Sequence, residues 1–391
     1  MRLAYFLMFS HLAVYVQYLQ LHLRSLGYGN GEVGLLMGLL QVSGVAGALL
    51  MGAIVDRRPI TRTLLSVAIA GSAVLLVVLG FARGIAAAIP ITIAIGLLFR
   101  SEIPLLDTHV SLVLHDTGHD YGRLRVWGTI GFVAISLGFQ FAGYPRPDID
   151  GSIVVTFLAV AAAYLVAVAF LPPARVETQQ RTRGRGERLP RAFWLVVAIV
   201  FLGNTGFSAH TAFFSLYVQD MLPGFLVSGA WAIGAAAEIP VMLFGGNAIR
   251  RVGVRVLLVV ATAATAARLL IYALAPRTGP VLAAQLLHAL TFGALHVAGM
   301  GFVTRAVEPE ARGRAVSLYN AFGFGMPGLL GGVLGGQILE YLGFSTLFWV
   351  FALPPAAGAI IGIVFGGSIE RAVYRNRGPA SADASQTDAD R

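Results

Sequence analysis

The sequence predicts an all-α membrane protein of twelve transmembrane helices in two six-helix bundles, and three observations carry that prediction. Of 391 residues, 57% are hydrophobic and only 12% charged, with a mean hydropathy of +0.77, far from the mix of a soluble domain. Cutting the chain at its charged and Gly/Pro-rich points leaves twelve apolar segments, each about the 20 residues that a bilayer-crossing helix needs. Arginine crowds alternate connections between those segments, the pattern that short loops on one side of a membrane impose.

The first six segments fall at residues 3–25, 33–55, 63–83, 86–113, 124–143 and 152–171. Residues 172–190, PPARVETQQRTRGRGERLP, form the longest polar interruption, with two prolines to end a helix and a basic stretch to hold a loop, and read as a cytoplasmic linker. Six more segments follow at 191–217, 226–248, 255–275, 279–304, 315–341 and 345–367. The domains are thus 1–171 and 191–367, and 368–391, polar and ending in small residues, is expected to be a disordered cytoplasmic tail. GAIVDRRPITR after the second span and GGNAIRRVGVR after the eighth each end an apolar helix in Gly and follow it with arginines, which suggests an internal repeat.

The chain has no Lys, so all 28 basic residues are Arg: 22 fall in or beside the linker-side loops, 4 in the opposite loops and 2 within spans. Both termini are therefore expected to face the cytoplasm, in a multi-pass protein of the cell membrane. Topology accounts for the net charge of +9, with no nucleic-acid partner required. The N-terminal apolar run is too long for a signal-peptide core and reads as the first span. Zero Cys excludes disulfides, thiolate metal sites and cysteine catalysis.

Within the spans stand Arg100, Glu102, Asp107, Glu238 and Arg268. A charge at membrane depth is costly and marks a solute or proton path by default. Arg100 and Asp107, seven residues apart, share a helix face, while Glu102 points nearly opposite, and Pro104 between them should loosen the helix. Arg100 suits either an anionic or polar solute or an internal carboxylate. In the tenth segment His288, Phe292 and His296 step by four along one stripe, and neutral imidazoles, which donate and accept, suit a proton relay or a hydrogen bond between helices. The first and seventh spans offer His11, Tyr15, Tyr18, His210, Phe213 and Phe214, rings and polar groups able to stack on a solute and hydrogen-bond it.

These features resemble the major facilitator superfamily, whose members pair two six-helix bundles about a central cavity and carry a Gly-x-x-x-Asp motif with basic residues after the second span. Gly52, Asp56 and Arg57 match that conformational-switch motif, with Pro59 in place of its second Gly. IPLLD, HDYGRLRVWG, AWAIGAAAEIP, ATAARLLIY and LLHALTFGALH are similar to the lactose and phenylpropionate permease branches. The resemblance implies that Asp107 and Arg125 pair at the substrate site, and that Glu238, Arg268 and His288 serve substrate binding and proton coupling. Thr291 stands where the lactose permease has its proton-carrying acid, and the phenylpropionate-like pattern has His296 instead.

The sequence therefore implies a secondary active transporter, a proton-coupled symporter of a small organic solute (aromatic carboxylate, sugar or nucleoside) working by alternating access as a monomer. Arg100, Asp107, Arg125, Glu238, His288, Tyr18, His210 and Phe214 are the expected solute contacts, and Glu238, Asp107, Arg268, His288 and His296 the proton-coupling set. Flux direction is open, so a proton-driven exporter is the alternative. No zinc-protease, serine-nucleophile or phosphate-loop motif occurs, so no enzymatic activity, cofactor or metal is expected, and the tail is short for the output domain of a sensor.

Overall fold

A computed structural model describes residues 1–57, 60–114, 121–145, 151–173 and 189–375, with only the backbone at 241–250, Tyr121 and Arg123. Most of the linker and the tail beyond 375 thus lie outside the described residues. Among the described residues the chain is helical with no strand. Nine segments among the described residues are long and apolar enough to cross a membrane by those criteria alone, the last being the 57-residue run Pro309–Phe365. Gly343, at φ 78° and ψ 177°, divides that run in two. Gly253, at φ 81° and ψ 166°, likewise breaks Val227–Leu274. Only glycine adopts such a backbone without a Cβ clash, so each marks a tight reversal between antiparallel spans. With the more polar first helix, twelve spans result, as expected.

The first six are α1 (Arg2–Ser25), α2 (Asn30–Val55), α3 (Thr61–Leu79), α4 (Ile85–Leu114), α5 (Tyr121–Ala142) and α6 (Ser152–Ala169). The second six are α7 (Arg191–Met221), α8 (227–252), α9 (254–274), α10 (Thr278–Ala306), α11 (309–342) and α12 (344–365). α13 (Gly367–Arg375) follows, which corrects the expectation of a tail disordered from 368. Its Ile369 and Val373, four residues apart, are buried on one face, and that contact orders the segment.

Two departures from regular helix shape the interior. α4 is interrupted at Arg100 and Ser101. Pro104 has no N–H for the carbonyl of Arg100 and its ring crowds that carbonyl, so the break falls one turn before the proline. α10 and α11 each contain a π-turn, at Ala289–Gly293 and Ala321–Gly325, a feature frequent at functional sites and not legible in the sequence.

The halves meet most closely along α2 and α11 and along α5 and α8. A ridge of Gly328, Gly332 and Gly336 is what permits the first contact: a Cβ on Gly332 would lie 2.5 Å from the carbonyl oxygen of Gly34. Small residues let backbones approach this way within a membrane. One apolar core runs through the first half and on into the arginine-poor end of the second, from Ala209 to Ala352. The arginine-rich end of the second half has a separate core, around Phe193, Phe302 and Tyr319.

Candidate functional site

The embedded charges sort into three groups. On α4 and α5, Arg125 Nη1 donates to both oxygens of Asp107, at 2.9 and 2.7 Å, and the Tyr5 hydroxyl donates to Asp107 at 2.8 Å. The guanidinium also lies over the Phe9 ring, 5.6 Å from its centroid. Both ions remain about one-quarter exposed, 28% for Arg125 and 26% for Asp107, so the pair faces accessible space. The sequence expectation that these two meet is met in the geometry.

In the second half, Arg268 is 2% exposed and spends its fork on four acceptors: Tyr272 Oη (2.7 Å), His288 Nδ1 (2.9 Å), His210 Nε2 (3.2 Å) and Gln285 Oε1. Arg is a donor only, so Nδ1 of His288 accepts and its ring proton sits on Nε2. That nitrogen lies 3.2 Å from Glu238 Oε1 but off the line of a hydrogen bond, and with Nδ1 accepting the ring is neutral, so the two groups touch without forming an ion pair. Glu238, His288 and Arg268 thus form a chain, with the imidazole between the carboxylate and the guanidinium. The same logic puts the proton of His210 on Nδ1, which is buried without a partner. Phe214, Trp231, Tyr272 and Phe207 close around the His210 ring at 4.5–5.8 Å.

His296 stands outside this chain of hydrogen bonds. It stacks on Phe292 at 6.0 Å, and Phe292 stacks in turn on Phe207 at 5.5 Å, which also meets His288. The stripe of His288, Phe292 and His296 survives as a ring ladder, but the π-turn resets its register, so a stripe counted by fours describes it only in part. The two halves are linked electrostatically, since Arg125 acts on both Glu238 and His296.

Arg100 differs from the other two arginines. The expected alternative of a pair with Asp107 is not realised, because Arg125 and Tyr5 hold that carboxylate. Among the described residues the guanidinium of Arg100 makes no hydrogen bond or ion pair, and its stem packs so closely on Gly44 that a Cβ there would lie 2.5 Å away. Glu102 faces the other way, as expected, into the first bundle.

Tyr18 hydrogen-bonds Ser228 across the boundary. Nearby, Gln140 Oε1 accepts from the Gly229 N–H (2.8 Å), Arg24 holds Asp220 through two bonds (2.7 and 2.6 Å), and Glu340 accepts from the Gly31 N–H (3.2 Å). All four contacts join the halves at the arginine-poor end. At the opposite end the switch motif is open: a Cβ on Gly52 would meet nothing within 4 Å, and Asp56 and Arg57 are exposed at the end of α2. Arg58 and Pro59 lie outside the described residues.

Sequence reasoning missed Tyr272 and Gln285, yet both signals were present. Tyr272 follows Arg268 by four residues and Gln285 precedes His288 by three, spacings that share a helix face.

Two helical bundles with charged networks at their boundary define a polytopic transporter of small solutes. The chain belongs to the MFS_1 like family, whose model matches residues 1–351. It is 25% identical over 363 residues to a protein of Escherichia coli K12 named "Probable 3-phenylpropionic acid transporter", covering 90% of this chain and 93% of that one. It is also 25% identical to the maltose permease of Geobacillus stearothermophilus, covering 92% of each. Among solved structures, a variant of the nucleoside transporter NupG superposes with a TM-score of 0.82 at 17% identity, over 93% of this chain and 98% of that one. An inward-facing bacterial homologue of the lysosomal transporter Spinster gives 0.71 at 14% identity, over 97% of both chains. The family is one of transporters, not enzymes, and the expected fold stands.

Proposed function

We propose that this transporter is a proton-coupled symporter of a small organic solute, working by alternating access between the bundles 1–171 and 191–367 as a monomer in the cytoplasmic membrane. The observation that carries the reading is the electrostatic link across the boundary, where Arg125, bonded to Asp107, acts on Glu238, which His288 joins to Arg268. A proton on Glu238 removes the charge that Arg125 and His288 face, and so changes how firmly the halves attract one another at the site. Binding of solute to the same groups changes the affinity for that proton by the same factor. Asp107 is the second candidate acceptor.

With the arginine-rich face taken as cytoplasmic, the contacts at Arg24–Asp220, Tyr18–Ser228 and Glu340–Gly31 close the outer side, and the exposed Gly52–Arg57 segment lies on the open side. Arg100, Arg125, Asp107, His210, Phe214 and Tyr18 offer the solute charged, hydrogen-bonding and aromatic contacts. The names of the relatives support an aromatic carboxylate, a sugar or a nucleoside as the class.

The test is uptake by proteoliposomes of a labelled aromatic carboxylate, a disaccharide and a nucleoside, with and without an imposed proton gradient. Gradient-stimulated accumulation of one of them is expected, lost in Glu238→Gln while solute exchange at equal concentrations persists. Full gradient-driven accumulation by both Glu238→Gln and Asp107→Asn would sink the coupling scheme.

A further inference from the structure

A second set of titratable groups lies wholly inside the first bundle. His11 on α1 and Glu102 on α4 are 0% and 2% exposed, and His11 Nδ1 stands 3.1 Å from Glu102 Oε2. Ser72 on α3 donates to the other oxygen, Oε1, at 3.2 Å. The walls are aromatic: Phe157 on α6 and Phe99 on α4 pack on the imidazole at 4.3 and 5.3 Å, and Tyr164 on α6 at 6.2 Å. Three polar atoms in this shell, His11 Nε2, Tyr15 Oη and Tyr164 Oη, are buried with no hydrogen-bond partner.

With Glu102 ionised and His11 neutral the pair carries one net negative charge in a buried, largely aromatic shell, an arrangement that a bundle interior disfavours. One proton removes it. The Nδ1–H already faces the carboxylate, so the free lone pair is on Nε2. A proton delivered by hydronium forms an N–H bond there, releases water and gives an imidazolium against the carboxylate, with the Tyr15 and Tyr164 oxygens still unpaired in the same shell. Release breaks that bond and restores the charge. Arg100 and Glu102 line one small cavity with Met8, Leu12, Phe99 and Ile103. Asp107, the other acid on α4, is held by Arg125 and Tyr5.

We propose that His11 and Glu102 form a second proton-binding site, inside the first bundle and separate from the Glu238–His288–Arg268 chain. If the symport reading above holds, this pair takes up a proton when an anionic solute group neutralises Arg100; that consequence rests on the reading, and the site itself does not.

The test is the acid-minus-alkaline infrared difference spectrum of the full-length protein in lipid, with isotope-labelled histidine, for wild type, His11→Gln, Glu102→Gln and Glu238→Gln. His11→Gln is expected to abolish or displace the Glu102 carboxylate bands, Glu102→Gln to displace the His11 ring bands, and Glu238→Gln to leave both. Spectra in which each variant removes only its own band overturn the proposal. Loss of gradient-driven uptake with these bands intact would count against the symport reading alone.

Discussion

Gly34→Ala should loosen the arginine-poor end of the molecule, and the structure sets the size of the effect. A Cβ on Gly34 would stand 2.3 Å from the carbonyl oxygen of Gly332 and 2.6 Å from the Cα of Gly336. Both obstacles are backbone, so no side chain can swing aside. Non-bonded contacts sit at roughly 3.5–4.0 Å, so α2 and α11 must separate by on the order of 1 Å. Forcing a methyl into such a contact costs about 1–3 kcal/mol, and about 1.4 kcal/mol is a tenfold change in an equilibrium. The state closed at this end therefore loses roughly tenfold or more of its population advantage. The chain contains no Cys, so one introduced cysteine reports cleanly. Ser228→Cys, at a position 2% exposed, should react with a membrane-impermeant maleimide about tenfold faster in the Gly34→Ala background. Gly52→Ala, whose Cβ meets nothing within 4 Å, should leave the rate unchanged. Equal labelling in all three backgrounds would refute the argument that the α2–α11 crossing holds this end shut.

Arg268→Lys keeps the charge but replaces a planar fork with a point donor, and four acceptors on three helices lose their common partner. Transport should fall at least tenfold and the thermal midpoint should drop, whereas wild-type values for both would show that the network is dispensable. Arg24 and Asp220 are 31% and 36% exposed, so a double-mutant cycle on their pair should give a coupling below about 1 kcal/mol that shrinks with added salt. A larger, salt-insensitive coupling would mean that the pair acts as a buried latch.

The Asp107–Arg125 contact was foreseeable because both residues fall where the resembled permeases pair them, and each needs a partner at membrane depth. Arg268 was legible as a functional cation for the same reason, but its partners were not. Which side chains fill its four donor positions depends on how α7, α9 and α10 approach, and sequence spacing fixes only neighbours on one helix. His296 shows the limit within a single helix, since the π-turn at Ala289–Gly293 shifts the phase that regular spacing assumes. Glu102 was visible as a buried acid on the face opposite Asp107, while its partner His11 lies 91 residues away and could be identified only once α1 and α4 were packed.

Sequence alone determined the class of molecule, the number of spans and the asymmetry of charge across the membrane. Those follow from the cost of burying charge and unpaired backbone in lipid, which acts on each segment separately. Tertiary structure decided which embedded ions meet, which end the two halves close, and that Arg100 is left without a partner among the described residues while Arg125 and Arg268 are engaged. Such choices depend on distances between helices far apart in the chain, set by the close glycine crossing of α2 and α11 and by the breaks at Arg100, Gly253 and Gly343.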